Sequence, residues 1–316
     1  MALTITELNA VTKKYFDDKL NQQVYDEGAF LALLKSRKQI KTDGGSQIQF
    51  PIRYAKYGMA DATDPRAQVV FQTKQTRTAG VVDWAYYQVQ TTLHWDEQSK
   101  NSGQGRIINL MQDKLTEAKE DMFDVMSTAL HATSKATTND LDPLIVPVDS
   151  ATDYAGIAVS DAAAWAAQED SSATTLALYG SASVSYYVNA CTLGKNQPTH
   201  FITTRNLASK FESLVEPQKR YEDKELADLG FKTTTFHGKP IIADSYCQST
   251  YLYGLDLSSW ELRVHPDYNM TTGDGWFSLK QGGYPQAVAR VMAWQGQLVC
   301  KCRKTNFKMT ALVYSN

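Results

Sequence analysis

Cysteine is scarce in this chain: Cys191, Cys247, Cys300 and Cys302 are the four in 316 residues. That is too few for a disulfide framework, and free thiols are expected. Cys300-Lys301-Cys302 would place two thiols on one face of a strand. No Cys-x-x-Cys and no spaced pair of histidines offers the two further ligands that zinc needs. Histidine is also thinly spread, at His94, His131, His200, His237 and His265. No Gly-x-Ser-x-Gly elbow accompanies these residues. Gly194-Lys195 lacks both ends of a phosphate-binding loop. Gly103-Gln104-Gly105 stands before a helical pattern as a dinucleotide loop would, but Ile108 occupies the place of the third glycine, and a helix start accounts for the pair. The paired carboxylates Glu222-Asp223 lie in a mixed-sign loop, the usual mark of a wet surface. No catalytic, cofactor-binding or metal-binding residue is assigned, and no cofactor is expected. Long apolar runs are missing too, so no membrane partner is expected. Met1 to Ala10 is too polar for a signal peptide, which points to folding in a cytoplasm. Charge of one sign is lacking: the net charge is -2. Tight nucleic-acid binding rests on neutralising phosphates, so a chain this balanced is a poor DNA gripper. No repeat of fixed period is visible.

What is present is globular composition, 43% hydrophobic and 21% charged, with 17 tyrosines suited to sheets and contact surfaces. The first forty residues read as a helical arm with a thin apolar stripe (Val11, Tyr15, Leu20, Val24, Phe30, Leu31, Leu34), the kind of segment that lies on something else. After the turn signal Thr42-Asp43-Gly44-Gly45, residues 47–54 alternate strictly, with Ile48, Phe50, Ile52 and Tyr54 on one face. Pro51 makes this an edge strand or a bulge. A polar stretch from Tyr57 to Thr76 follows, and then a long β-branched and aromatic strand from Val81 to Trp95. Two strands around a polar tip make an extended hairpin, which is marginal unless its own body or another subunit supports it.

The strongest helix pattern runs from Arg106 to Ala132. Ile108, Met111, Leu115, Ala118, Met122, Val125, Met126 and Ala129 recur at steps of three or four and are expected to be buried. The middle, about Thr137 to Lys280, reads as mixed α/β. It contains a helix over Ala173–Leu193, a strand at Thr199–Thr203, a helix at Asn206–Val215, a charged loop at Glu216–Asp228, and strands at Gly238–Asp244 and Thr250–Leu255. At the end, Ala287–Ala293 and Leu298–Arg303 flank Trp294-Gln295-Gly296-Gln297, a hairpin-turn signal, and a last strand covers Asn306–Tyr314.

This order of elements resembles the major capsid proteins of tailed bacteriophages, whose fold is of the Hong Kong 97 (HK97-like) type. Short stretches agree. Leu141-Asp142-Pro143-Leu144-Ile145-Val146, then Tyr154-Ala155-Gly156-Ile157-Ala158 and Ala164-Trp165, are similar to the family's segment after its long helix. Ala155 stands where the family often has glycine, and Leu141-Asp142-Pro143 replaces a Gly-Leu pair. Phe201-Ile202-Thr203-Thr204-Arg205-Asn206 resembles the strand-to-helix step before the charged loop. Phe236-His237-Gly238-Lys239-Pro240-Ile241-Ile242-Ala243-Asp244 with Tyr251-Leu252-Tyr253-Gly254-Leu255-Asp256 is similar to a further family stretch. Nearly the whole chain is covered by the resemblance.

The resemblance implies an α+β, HK97-like capsid fold. Its parts would be an N-terminal arm (1–40), an extended β-hairpin loop and its base (41–98), and the spine helix of a peripheral domain (99–136). A mainly axial domain (137–280) and a β return (281–316) would follow. It implies a subunit that is no enzyme, resides in the virion, is assembled in the bacterial host cytoplasm, and builds hexamers and pentamers around double-stranded DNA without sequence-specific binding. A separate scaffolding protein, a portal and decoration proteins are the implied partners; no long cleavable assembly domain and no cross-linking Lys–Asn pair is assigned. On this reading Arg53, Lys56, Arg66, Lys74 and Arg77 of the hairpin pair with acids of the next subunit, such as Glu117, Glu120, Asp121 and Asp124. The alternatives are an encapsulin-type bacterial compartment shell and an unrelated α/β enzyme.

Overall fold

A computed structural model of the chain describes residues 28–64, 66, 68, 71–100, 110–172, 175–215, 234–272, 276–279 and 287–313. The elements in chain order are α1 (Ala29–Ser36), β1 (Ile40–Thr42), β2 (Ile48–Arg53), β3 (Arg77–Val82), β4 (Ala85–His94), α2 (Trp95–Lys100) and α3 (Leu110–Leu130). Next come β5 (Gln168–Asp170), α4 (Val184–Cys191), β6 (His200–Thr203), α5 (Arg205–Val215), β7 (Thr234–Phe236), β8 (Lys239–Ala243), β9 (Leu252–Leu255) and β10 (Trp260–Val264). β11 (Thr271–Thr272), β12 (Phe277–Ser278), β13 (Ala287–Cys300) and β14 (Phe307–Met309) complete the order. The chain divides into two compact units.

The larger unit comprises Glu27–Tyr87, Val125–Asn269 and Trp294–Asn316. One of its sheets has the order β5-β14-β9-β6-β8-β7, with β5–β14 and β6–β8 parallel and the other pairs antiparallel. The central strands β6 and β9 are buried along their whole length, as strands covered on both faces must be. Phe201, Phe211, Phe236 and Phe307 join Leu176, Val184, Val188 and Leu252 in one apolar cluster under α4 and α5. A second sheet places β10 between β1, in parallel, and the Gly296–Cys300 end of β13, antiparallel. The smaller unit holds Gln88–Asp124 and Met270–Ala293. There β11 and β12 pair with the first half of β13, and Lys114 Nζ bonds to Glu97 Oε2 at 2.7 Å and to the Thr92 carbonyl at 3.1 Å, tying α3 to α2.

Several expectations change. The strand expected over Val81–Trp95 is broken at Asp83-Trp84, and Trp95 begins α2. At the break Trp84 is buried and its indole N–H donates to the Gly45 carbonyl at 2.9 Å, while the Asp83 carbonyl accepts from Gln297 at 3.2 Å. Those tertiary bonds replace ladder bonds and let the chain leave β2. No hairpin turn occurs at Trp294–Gln297; β13 runs straight through. Gly296 serves close approach instead: a Cβ there would stand 2.5 Å from Trp294 Cζ2 and 2.7 Å from the Arg263 carbonyl. The helix expected over Ala173–Leu193 is only α4, which starts where the Ser183 hydroxyl accepts from the Tyr186 N–H at 3.3 Å. The last strand shortens to Phe307–Met309. In α3, Ala118, Met122, Met126 and Ala129 are buried, but Val125 is 46% exposed. Residues 1–27, Ile108, and the charged loop after Val215 lie outside the described residues.

Candidate inter-subunit surface

The hairpin is built from alternation. In β2 the residues Ile48, Phe50 and Ile52 are buried and their neighbours exposed. β3 pairs antiparallel in the register Ile48↔Val82 to Arg53↔Arg77. Gly80 lies opposite Phe50, where a Cβ would come within 2.9 Å of the ring and 2.8 Å of Ile52 Cδ1. The Val81 N–H points away from β2, donating to the Ala155 carbonyl at 3.0 Å. Positions 77 and 79 share its parity, so Pro51↔Ala79 and Arg53↔Arg77 are non-hydrogen-bonded pairs. Pro51 therefore gives up a donor that the ladder does not use. Arg53 and Arg77 face each other across the closer kind of pair, with Cα atoms about 4.5 Å apart.

The base of the hairpin is pinned by charge. Arg263 bonds to Asp43 and, at 3.4 Å, to the Gln49 carbonyl. Buried Glu261 receives Lys41, and Lys301 at 2.6 Å. Burial pushes the Glu261 carboxyl up, but the hydrogen bonds from Lys301 and Lys41 and their charges outweigh it and hold the group below its ordinary value. Ala155, beside β3, is in the left-handed region (φ 56°), as is Gly156. That is the place where the resemblance leads one to look for glycine.

Beyond the ladder the two limbs stay together. The Tyr54 N–H donates to the Thr76 carbonyl at 3.1 Å, and the Tyr57 hydroxyl to the Gln72 carbonyl at 3.0 Å. Arg53, Lys56, Arg66, Lys74 and Arg77 are all exposed, and among the described residues none forms an ion pair. Reading the sequence as a polar tip missed the largest feature there. Phe71 is 93% exposed, and Tyr57 and Met59 on the other limb are exposed as well. The run Val69-Val70-Phe71 was its signal.

On α3, Glu117, Glu120, Asp121 and Asp124 fall at steps of three and four, forming one acidic stripe away from the buried Ala118/Met122/Met126 face. Glu117 and Asp121 are exposed; Glu120 and Asp124 are half-buried. Like charges at this spacing cost a helix about 0.2–0.5 kcal/mol per pair.

Other reactive groups lie inside. His131 Nε2 is 3.5 Å from Asp244 Oδ2, but their side chains are only 2% and 0% exposed. Asp244 is occupied by the N–H groups of Phe30 and Tyr246 at 3.1 and 3.0 Å, so the pair pins α1 rather than meeting a solute. The thiols are free, and burial pushes those of Cys191 and Cys300 up to about 12. Cys300 ends β13 and is buried, whereas Cys302 lies past the strand and is half-buried. Among the described residues no group of three or more His, Cys, Asp or Glu side chains could hold a metal ion. No described helix is long and apolar enough to cross a membrane.

No protein-family model and no curated protein matches the sequence. Solved structures do. The chain is similar to one from the cyanophage A-1(L) capsid asymmetric unit, with a TM-score of 0.70, 16% identity, and coverage of 98% of this chain and 99% of that one. The fold is that of the HK97-like coat proteins. A chain of Mycobacterium phage Bobi shares the HK97-like fold at a TM-score of 0.59 and 11% identity, covering 98% of this chain and 99% of its own. So does the SrpI encapsulin of Synechococcus elongatus PCC 7942, at 0.58 and 9%, covering 100% and 98%.

Proposed function

We propose that this chain is the major coat protein of a tailed bacteriophage, a structural subunit and not an enzyme. It assembles through hexamers and pentamers into an icosahedral head around double-stranded DNA. Residues 1–40 act as the arm, 41–98 as the extended loop, 99–136 as the spine-helix region, 137–280 as mainly the axial domain and 281–316 as the β return. The DNA is enclosed without sequence reading, and a scaffolding protein, a portal and decoration proteins complete the head, which is assembled in the host cytoplasm.

One observation carries this reading beyond the fold. The chain holds two surfaces of opposite excess charge: a ribbon whose five cations, two of them directly opposite, form no ion pair among the described residues and outnumber Asp61 and Asp64 of the same tip, and a helix face with four acids in one stripe. Copies joined with Arg53, Lys56, Arg66, Lys74 and Arg77 against a neighbour's Glu117, Glu120, Asp121 and Asp124 set unlike charge against unlike charge. Exposed pairs are individually worth about 0–1 kcal/mol, a suitable strength for a shell whose misplaced subunits must leave.

The test is to express the chain with and without its neighbouring genes and to image the product by electron microscopy. Closed shells are expected from wild type. The double reversal Arg66→Glu and Lys74→Glu is expected to abolish them while leaving the thermal midpoint of the free subunit unchanged. Shells that form normally from the reversed chain refute the pairing. The likeness to an encapsulin supports a second reading, a compartment shell. Particles that carry a cargo protein and no DNA, with no tail vertex, would decide for it.

A further inference from the structure

Charge pairs at an exposed surface set orientation and rate better than they set affinity. Lasting contacts between subunits are dominated by a few apolar or aromatic side chains that lose water. The hairpin tip carries one such group standing almost wholly in solvent. Phe71 is 93% exposed, above every other large apolar side chain among the described residues. Tyr57 and Met59 of the other limb are exposed as well, and the Tyr57 hydroxyl's bond to the carbonyl of Gln72, the residue after Phe71, joins the two limbs there. Lys56, Arg66 and Lys74 surround this patch in sequence and are all exposed.

A matching surface lies on α3. Val125 occupies the edge of the apolar stripe that the helical spacing assigns to burial, yet it is 46% exposed. Asp121 precedes it by one turn and Asp124 by one residue. An apolar side chain bordered by acids thus faces solvent on one element, and a larger one bordered by bases faces solvent on another.

We infer that Phe71 is the apolar anchor of the contact between copies of this chain, and that it seats on a second copy's α3 beside Val125. Its ring covers Val125 while Lys74 and Arg66 reach Asp121, one turn before it. This rests on the coat-subunit reading above and adds what that reading lacks, a source of affinity that salt does not screen. Val125, uncovered within one copy, becomes buried in the pair.

The test keeps the ring. Benzoylphenylalanine replaces Phe71, the variant is mixed with isotope-labelled wild-type subunits, assembled and irradiated, and the adducts are mapped by peptide mass. Adducts between light and heavy chains within residues 118–128 are expected. Adducts elsewhere on the partner, or within a single chain only, in preparations that form shells overturn the anchor and leave the coat reading standing. No shells from wild type under any assembly condition would instead sink the coat reading itself. A second variant, Phe71→Ser, is expected to raise the subunit concentration needed for assembly by roughly 10- to 100-fold, the span of removing one buried phenylalanine. The unfolding midpoint of its free subunit stays at the wild-type value, because Phe71 is 93% exposed in its own copy. Unchanged assembly by Phe71→Ser also overturns the anchor.

Discussion

Arg303 is fully buried and finds no carboxylate within its own bonds; it is held by carbonyl groups. Its Nε donates to Pro147 O at 2.7 Å, and Nη2 to Asp149 O and Thr152 O at 2.8 and 2.9 Å, while the guanidinium lies over the rings of Tyr154 and Trp165. A planar fork suits this loop as a lysine would not. The same loop carries Asp149, bonded to Lys308 at 2.5 Å and to the N–H groups of Ala151 and Thr152 at 2.8 and 2.7 Å. Burial pushes this carboxyl up, but the Lys308 bond, the two amides and the Lys308 charge outweigh it and hold it at about 2, against an ordinary 3.8. A carboxylate with a depressed folded value stabilises the fold above its unfolded value and stops doing so as acid protonates it. Wild type is therefore expected to exceed Asp149→Asn in stability by a constant margin above pH about 4, and that margin should close as the pH falls through about 2. Urea unfolding at a series of pH values checks this; a margin independent of pH refutes it.

At the level of elements, alternation made β2 legible, helical spacing made α5 and the described part of α3 legible, and short continuous apolar runs made β6 and β8 legible. Three elements were not. The break at Asp83-Trp84 is made by bonds to Gly45 and Gln297, residues 39 and 214 positions away. Within Ala173–Leu193 the late helix start was signalled only by Gly180 and the capping Ser183, which the apolar spacing on either side outweighed. Trp294-Gln295-Gly296-Gln297 has turn composition, yet its glycine is there so that Trp294 and the Arg263 carbonyl can occupy the space of a side chain. Gly296→Ala should accordingly destabilise the fold by about 2 kcal/mol, since a backbone carbonyl in a paired strand has nowhere to go. Gly44→Ala, where a Cβ meets nothing within 4 Å, should be neutral within about 0.5 kcal/mol. Denaturant midpoints of the two variants separate close approach from loss of chain freedom, which both share. Of the candidate surface, the charged residues were legible and the apolar ones were not. Phe71 sat in a stretch dominated by polar residues, and Val125 matched the buried period so well that only the structure reveals it uncovered.

For the molecule as a whole, co-linear order carried the fold when no single motif was long enough to do so. What order leaves out is the timing of assembly, which in the proposed shell is set by the two charged surfaces. Their mutual attraction reaches about 10 Å at 0.1 M salt and about 3 Å at 1 M. Raising salt is expected to slow the onset of shell formation, followed by light scattering, while shells already closed persist in the same buffer. Equal sensitivity of onset and persistence would mean that charge alone holds the copies together.

A bare two-stranded ribbon is a hazard in a protein crowded with identical molecules, because an open edge invites another ribbon to add to it and so on into fibres. The outer edge of β2 offers a poor template for such growth. At Pro51 a newcomer's carbonyl meets a ring instead of a donor, and beside it Arg53 and Arg77 would meet the same two cations on any second ribbon in register. The residues that line this edge thus also police it, steering crowded copies of the chain away from thread-like aggregates.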